Sequence, residues 1–194
     1  MGRPREFNEG QAVQKATRLF WEKGFAATST DALLKEMDIG RQSLYNAFGG
    51  KRQLYLEALR SYQANTTAGH LDRLNEPSSP LAGIRQLLTG IAAEDDETRA
   101  LGCLGVGSVS EFGTRDPELS RMHEAVNRTL HEGLIARIQE AKSLGEIDEG
   151  LSAERAAEFV LLTMTGLQMA ARGGANTESM HRMAAFTVDR LAMS

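Results

Sequence analysis

A single cysteine among 194 residues excludes any intrachain disulfide framework. Only four prolines interrupt the chain, so long helical segments can run between them. No apolar run reaches the roughly 20 residues that span a bilayer, and the start MGRPREFNEG carries no apolar signal segment. A cytoplasmic protein without membrane contact is the expectation. Also missing are a nucleotide-binding glycine loop, a cluster of ligating residues at metal spacing, and a nucleophile beside a base. No cofactor and no enzymatic activity are therefore expected. A small all-helical enzyme assembled from scattered residues, or a helical interaction protein without DNA binding, are the rival classes.

What is present divides unevenly. The overall formal charge is -4, yet residues 1–60 hold ten Lys/Arg against seven Asp/Glu, and the remainder holds twelve against nineteen. A weakly basic unit is thus joined to an acidic one, as suits a small nucleic-acid-contacting domain carried by a larger domain with another task.

Helical periodicity dominates the whole chain. A first helix over Glu9–Lys23 aligns Val13, Ala16 and Phe20 on one stripe, widened by Leu19 and Trp21, and Gly24 supplies its stop. A second begins after Thr28 or Ser29, either of which is a suitable cap, and buries Ala32, Leu33 and Met37. Asp38 and Gly40 interrupt the pattern, and a third helix follows over Arg41–Phe48. Leu44 and Phe48 lie inward at i,i+4, which leaves Arg41, Gln42, Ser43, Tyr45, Asn46 and Ala47 outside. Two short helices joined by a tight turn can set the second in a DNA major groove.

The outward set has the chemistry for that task. Gln42 offers a paired donor and acceptor suited to adenine, Arg41 reaches guanine or phosphate, and Ser43 serves either. Tyr45 and Asn46 add hydroxyl and amide contacts, and Lys51 opens a fourth helix where its ammonium would anchor a phosphate. Arg3 and Arg5, around Pro4, form an arm able to follow the backbone or enter a narrow minor groove. Thr28 and Ser29 complete the expected DNA-contacting set.

These residues carry a resemblance. The segment FNEGQAVQKATRLFWEKGFAATSTDALLKEMDIGRQSLYNAFGGKRQLYLEAL resembles the amino-terminal domain of the TetR/AcrR family of bacterial transcriptional regulators. Its most specific pieces are Phe-Trp-Glu-Lys-Gly-Phe at 20–25, Ser43-Leu44-Tyr45, Phe48, and Lys51 with Leu54. The resemblance implies an all-α chain: a three-helix DNA-binding domain with a helix-turn-helix over 1–50, joined by a connecting helix to an effector-binding and dimerisation domain over 51–194. It further implies a homodimer on a palindromic double-stranded operator, a small-molecule effector, and repression. Three positions depart from the pattern: Asp38 stands where glycine is usual, Gly40 replaces a serine or threonine cap, and Ala47 replaces a phosphate-contacting histidine.

Beyond Lys51 the pattern predicts a long fourth helix to about Leu74, a break over Asn75–Pro80, and a buried helix carrying Leu81, Ile84, Leu87, Leu88 and Ile91. Glu94-Asp95-Asp96-Glu97 reads as a solvated loop. From Leu119 the run Leu119, Met122, Val126, Leu130, Leu134, Ile138 marks a long amphipathic helix, and Ala153–Arg172 and Thr177–Ala192 close the chain. Cys103, Phe112, Met122, Met164 and Met169 are the candidate pocket-lining residues, a methionine-rich set suited to an apolar ligand. Cys103 at a helix start also permits a second mode, thiol-based sensing of oxidants or electrophiles.

Overall fold

The computed structural model describes residues 7–92 and 95–192. It is all-α, with ten helices among the described residues: α1 (Glu9–Ala27), α2 (Thr30–Met37), α3 (Arg41–Phe48), α4 (Lys51–Asn75), α5 (Pro80–Thr89), α6 (Asp96–Leu101), α7 (Leu104–Phe112), α8 (Pro117–Ser143), α9 (Ala153–Arg172) and α10 (Thr177–Leu191). The only β pairing among them is an isolated antiparallel bridge between Ile147 and Ala192. None of the helices is long and apolar enough to cross a membrane.

Two apolar cores organise these helices. The first gathers Val13, Ala16 and Phe20 of α1, Leu33 of α2, Leu44 and Phe48 of α3, and Leu54, Tyr55, Leu56, Ala58 and Leu59 of α4. Leu104 of α7 and Leu119 of α8 also belong to it, so the small three-helix head is packed directly onto the larger body. The second core joins Leu74 of α4 to Ile84 of α5, Leu134 and Ile138 of α8, Val160 of α9 and Val188 of α10. Each fully buried leucine, valine or isoleucine contributes about 1.5–3 kcal/mol of transfer free energy. α4 enters both cores, one at each end, which explains why its apolar residues follow no single stripe.

Local rules set most helix ends. Asn8, Ser29, Ser79, Asp116, Ser152 and Asn176 each accept an amide of the first turn of the helix that follows. The acidic run expected as a loop is instead a helix start. The Asp95 side chain accepts the Thr98 amide at 2.7 Å, while Asp96 and Glu97 occupy the first turn of α6, where negative charge meets the positive end of the helix dipole. Glu94 lies outside the described residues. Buried Arg99 then pins α6 to the α9–α10 connection through the Ala175 carbonyl and the Thr177 hydroxyl, both at 2.9 Å.

Buried charge also closes the α4–α5 corner. Arg137 of α8 donates to the carbonyls of Leu74 at 3.1 Å and Pro77 at 2.7 Å, and pairs with Glu140 at 2.6 Å. The corner is so tight that a Cβ on Gly83 would lie 2.1 Å from the Leu74 carbonyl oxygen. Gly83→Ala therefore forces the two backbones apart, with an expected loss of about 2–3 kcal/mol of stability measured by urea unfolding.

His70 supplies a pH signature. It is 6% exposed on α4, and burial, followed by the charge of Arg73, pushes its pKa down to about 4. In the unfolded chain the imidazole titrates near 6.5 and takes a proton that the folded chain refuses. This contribution is complete above pH 6.5 and is lost as the pH falls towards about 4. His70→Gln should flatten the fall of the urea midpoint across that interval relative to the unaltered protein.

Candidate nucleic-acid interface and internal cavity

The polar edge of α3 is positioned from below. Ser29 caps α2 by accepting the Ala32 amide at 3.1 Å. Asp38 ends α2 in the left-handed conformation (φ 57°, ψ 47°), which costs a non-glycine residue energy but turns the chain sharply. Gly40 then starts α3 without any side-chain cap, so the first amides of α3 have no side chain over them. Leu44 and Phe48 are buried, and Arg41, Gln42, Tyr45 and Asn46 are exposed, with Ser43 partly so.

These side chains already hold one another. Arg41 pairs with Asp31 of α2 at 2.6 Å, and the Gln42 amide donates to the Asn46 Oδ1 at 2.8 Å. Lys51 Nζ sits 4.2 Å from the centre of the Phe25 ring, close enough for cation–π attraction. Tyr45 is 49% exposed, its ring standing at the surface. Thr28 is corrected out of the exposed set. It is fully buried, and its hydroxyl donates to the Gly24 carbonyl at 2.6 Å, so it shapes the chain rather than facing outward. Arg3 and Arg5 lie outside the described residues.

The junction between head and body rests on a broken helix. Gly24 takes φ 79° and ψ 172°, so α1 is interrupted there although helical geometry resumes through Ala27. A continuous helix would bond the amides of Phe25 and Ala26 to the carbonyls of Trp21 and Glu22. Both pairs are separated. The amides are instead accepted by the Glu111 carboxylate of α7, at 2.9 and 2.6 Å. The carbonyls accept from Arg172 of α9, at 3.2 and 3.1 Å, and Arg172 also donates to the Leu101 carbonyl at 3.0 Å. A third tie links Arg52 at the start of α4 to Asp116 at 2.9 Å and Glu118 at 3.2 Å, at the start of α8. Sequence reasoning missed Glu111, Arg172, Arg52 and Asp31, because their partners lie 10 to 151 residues away and no local pattern marks them.

A cavity of about 440 Å³ opens between α4, α7, α8 and α9. Its wall includes Cys103, Met164 and Met169, as expected, together with Gln63, His70, His123 and Gln168. No Asp, Glu, Lys or Arg among the described residues lines it. Two expected lining residues lie elsewhere. Phe112 stacks in an aromatic group with Phe25 and Tyr55, 5.4 and 5.7 Å between ring centres, and Met122 packs on the head core. Both were drawn there by apolar neighbours that their helix periodicity does not reveal. Cys103 is half-buried at the cap of α7 and makes no capping bond. A smaller crevice of about 230 Å³ shares Cys103, Ser110 and Gln168 with the cavity and runs on to Gly24, Glu111 and Arg172. No group of three or more His, Cys, Asp or Glu suited to a metal ion occurs among the described residues.

Comparisons with known proteins agree with this architecture. The family model for bacterial regulatory proteins of the tetR family matches residues 12–58, and that for the tetracyclin repressor-like C-terminal domain matches residues 81–187. The HTH-type transcriptional regulator YezE of Bacillus subtilis is 36% identical over 76% of this chain and 77% of its own length. The HTH-type transcriptional repressor ComR of Escherichia coli is 28% identical over 96% and 90%. Among solved structures, a cysteine mutant of the TetR family transcriptional regulator CifR, complexed with double-strand operator DNA, superposes with a TM-score of 0.78 at 26% identity, covering 98% of this chain and 100% of that one. Since the carboxy-terminal match alone spans more than half of the sequence, and YezE matches at 36% identity over three quarters of it, this chain belongs to the TetR family of bacterial transcriptional regulators.

Proposed function

We propose that the chain is a ligand-responsive repressor that binds a palindromic operator as a homodimer and is released by a small molecule held in the α4–α7–α8–α9 cavity. Residues 1–50 act as the DNA-reading unit and residues 51–194 as the sensing and pairing unit. The observation that carries this reading is the two-sided character of α3: Leu44 and Phe48 are buried while Arg41, Gln42, Tyr45 and Asn46 stand outside. Any surface helix has a polar face; what suits this one to DNA is the kind of polar group it carries, two carboxamides and a guanidinium followed by Lys51. In this reading Gln42 and Asn46 face base edges, Arg41 exchanges Asp31 for a guanine or phosphate, and Ser29, Ser43, Tyr45 and Lys51 hold the backbone. The exposed Arg41–Asp31 pair contributes at most about 1 kcal/mol, so giving it up costs little. Arg3 and Arg5 serve as the backbone-following arm.

Pairing uses the outer face of α9 and α10. Phe159, Leu162 and Met169 of α9 and Met183 and Phe186 of α10 are exposed, Leu162 by 73%. Five large apolar side chains on two neighbouring helices suit a self-complementary two-fold contact, which in turn sets two recognition helices about 34 Å apart on successive turns of DNA.

Coupling follows from the clasp at the α1 break. Ser110 lines the cavity, and the next residue, Glu111, holds the Phe25 and Ala26 amides. A ligand that displaces α7 shifts the carboxylate, and with it the end of α1 and the orientation of α3. Such a ligand must bind the two arrangements with different affinity to move the equilibrium.

Binding to duplexes selected from genomic fragments, followed by fluorescence anisotropy over a range of salt, tests the reading. Lys51→Ala should weaken all sequences alike and reduce the salt slope by about 1. Gln42→Ala should instead change discrimination at one base pair by about 1–3 kcal/mol. A chain that selects no fragment from the genomic pool refutes the function, and a Lys51 effect confined to one sequence refutes the division of roles. Glu111→Gln should leave the chain folded and keep low-salt, non-specific binding. It should weaken operator binding about tenfold and speed hydrogen exchange at the amides of Phe25 and Ala26.

A further inference from the structure

The cavity wall has a polar character that narrows its ligand, an inference that rests on the regulatory reading above. Three of its hydroxyls are committed to their own helices. Thr66 donates to the Tyr62 carbonyl at 2.8 Å, Ser110 to Val106 at 3.0 Å and Thr165 to Leu161 at 3.0 Å. His70 and His123 are both pushed towards the neutral form, chiefly by burial. A charged ligand within the cavity itself would leave water without meeting an opposite charge among the described residues that line it, at a cost of several kcal/mol.

Of the three carboxamides that line it, Asn127 is exposed and two are buried. Gln63 of α4 is 8% exposed; its Nε2 stands 3.1 Å from His123 Nδ1, which leaves its oxygen available. Gln168 of α9 is 9% exposed, and its side chain makes no hydrogen bond to any described residue. It lines the cavity and both crevices that adjoin it. Its amide opens on the cavity, where a complementary group can pair with it. A carboxamide presents one donor beside one acceptor, so its best complement does the same. Around it Leu130, Leu161 and Met164 offer apolar surface, and Met164 adapts to shape.

We propose that the cavity takes an uncharged, mostly apolar molecule whose polar edge carries a hydrogen-bond donor next to an acceptor, as in a lactam, and that this edge pairs with the Gln168 carboxamide by two hydrogen bonds. The molecule's carbonyl accepts from Gln168 Nε2 and its N–H donates to Gln168 Oε1. The apolar body lies against the α8 and α9 side chains.

Calorimetry on the full chain without DNA tests this with three compounds of one size: carbostyril, a bicyclic lactam; N-methylcarbostyril, which keeps the acceptor and loses the donor; and quinaldate, which carries a carboxylate. Carbostyril should bind about tenfold more tightly than its N-methyl form, and quinaldate should bind least. In Gln168→Leu the ratio between the two lactams should fall to about one. Equal binding of the two lactams by the unaltered protein overturns the proposal. So does a ratio retained in Gln168→Leu, tightest binding of quinaldate, or no carbostyril binding. Should Gln168→Leu fail to fold, as judged by circular dichroism, the lactam comparison on the unaltered protein decides alone. DNA release is scored separately: a chain that discriminates the lactams yet keeps its operator refutes the regulatory reading and leaves the cavity assignment standing.

Discussion

The break in α1 at Gly24 is the constraint on which the arrangement of head and body depends. Four backbone groups lose their partners there, and an unpaired buried amide or carbonyl costs about as much as a lost hydrogen bond. Glu111 and Arg172 satisfy all four, each from a helix of the body. The signs of the charges are also favourable. Arg172 meets the carbonyl end of one helical segment, and Glu111 meets the amide end of the next, so both complement the local dipoles. A straight α1 would have closed its own hydrogen bonds and left the head attached through apolar packing, α4 and the Arg52 tie. The broken helix makes the orientation of the head a function of where α7 and α9 stand.

Those two helices also wall the cavity, so the cavity and the clasp share their supports. Ser110 and Glu111 are adjacent on α7, one lining the cavity and the other holding the head. Gln168 and Arg172 are one turn apart on α9, in the same relation. A change in cavity occupancy therefore acts on residues rigidly connected to both halves of the clasp. α4 adds a second connection, since its first half is buried with the head and Leu74 with the body. The Arg52 tie to Asp116 and Glu118 secures the end of α4 nearest α3.

The apolar surfaces divide by role. Leucine, isoleucine and valine fill the two cores, where branched side chains pack without voids. Methionines are spread over all of these roles: Met37 and Met180 lie in the cores, Met164 belongs to the second core and walls the cavity, and Met169 and Met183 are exposed on α9 and α10. Flexible thioethers suit surfaces that must meet a ligand or a second molecule. Phe112 and Met122 show the limit of that generalisation, for both were claimed by the head core and its aromatic group.

The sequence by itself determined the all-α class, the bounds of α3 and α9, the starts of α1, α4 and α10, and the polar edge of α3. These depend on local physics: periodicity, caps and turn residues act within a few positions. It also marked Gly24 as a stop and placed Cys103, Met164 and Met169 at the cavity. The acidic run before α6 was misjudged because capping and solvation call for the same residues. Thr28 was misjudged because a cap residue and its neighbour look alike until burial separates them. Only the tertiary structure decided that Glu111 and Arg172 repair α1, that Asp31 holds Arg41, and that Gln168 faces the cavity unpartnered. Each of these depends on which distant helices meet, and that is set by the packing of two cores rather than by any neighbour along the chain.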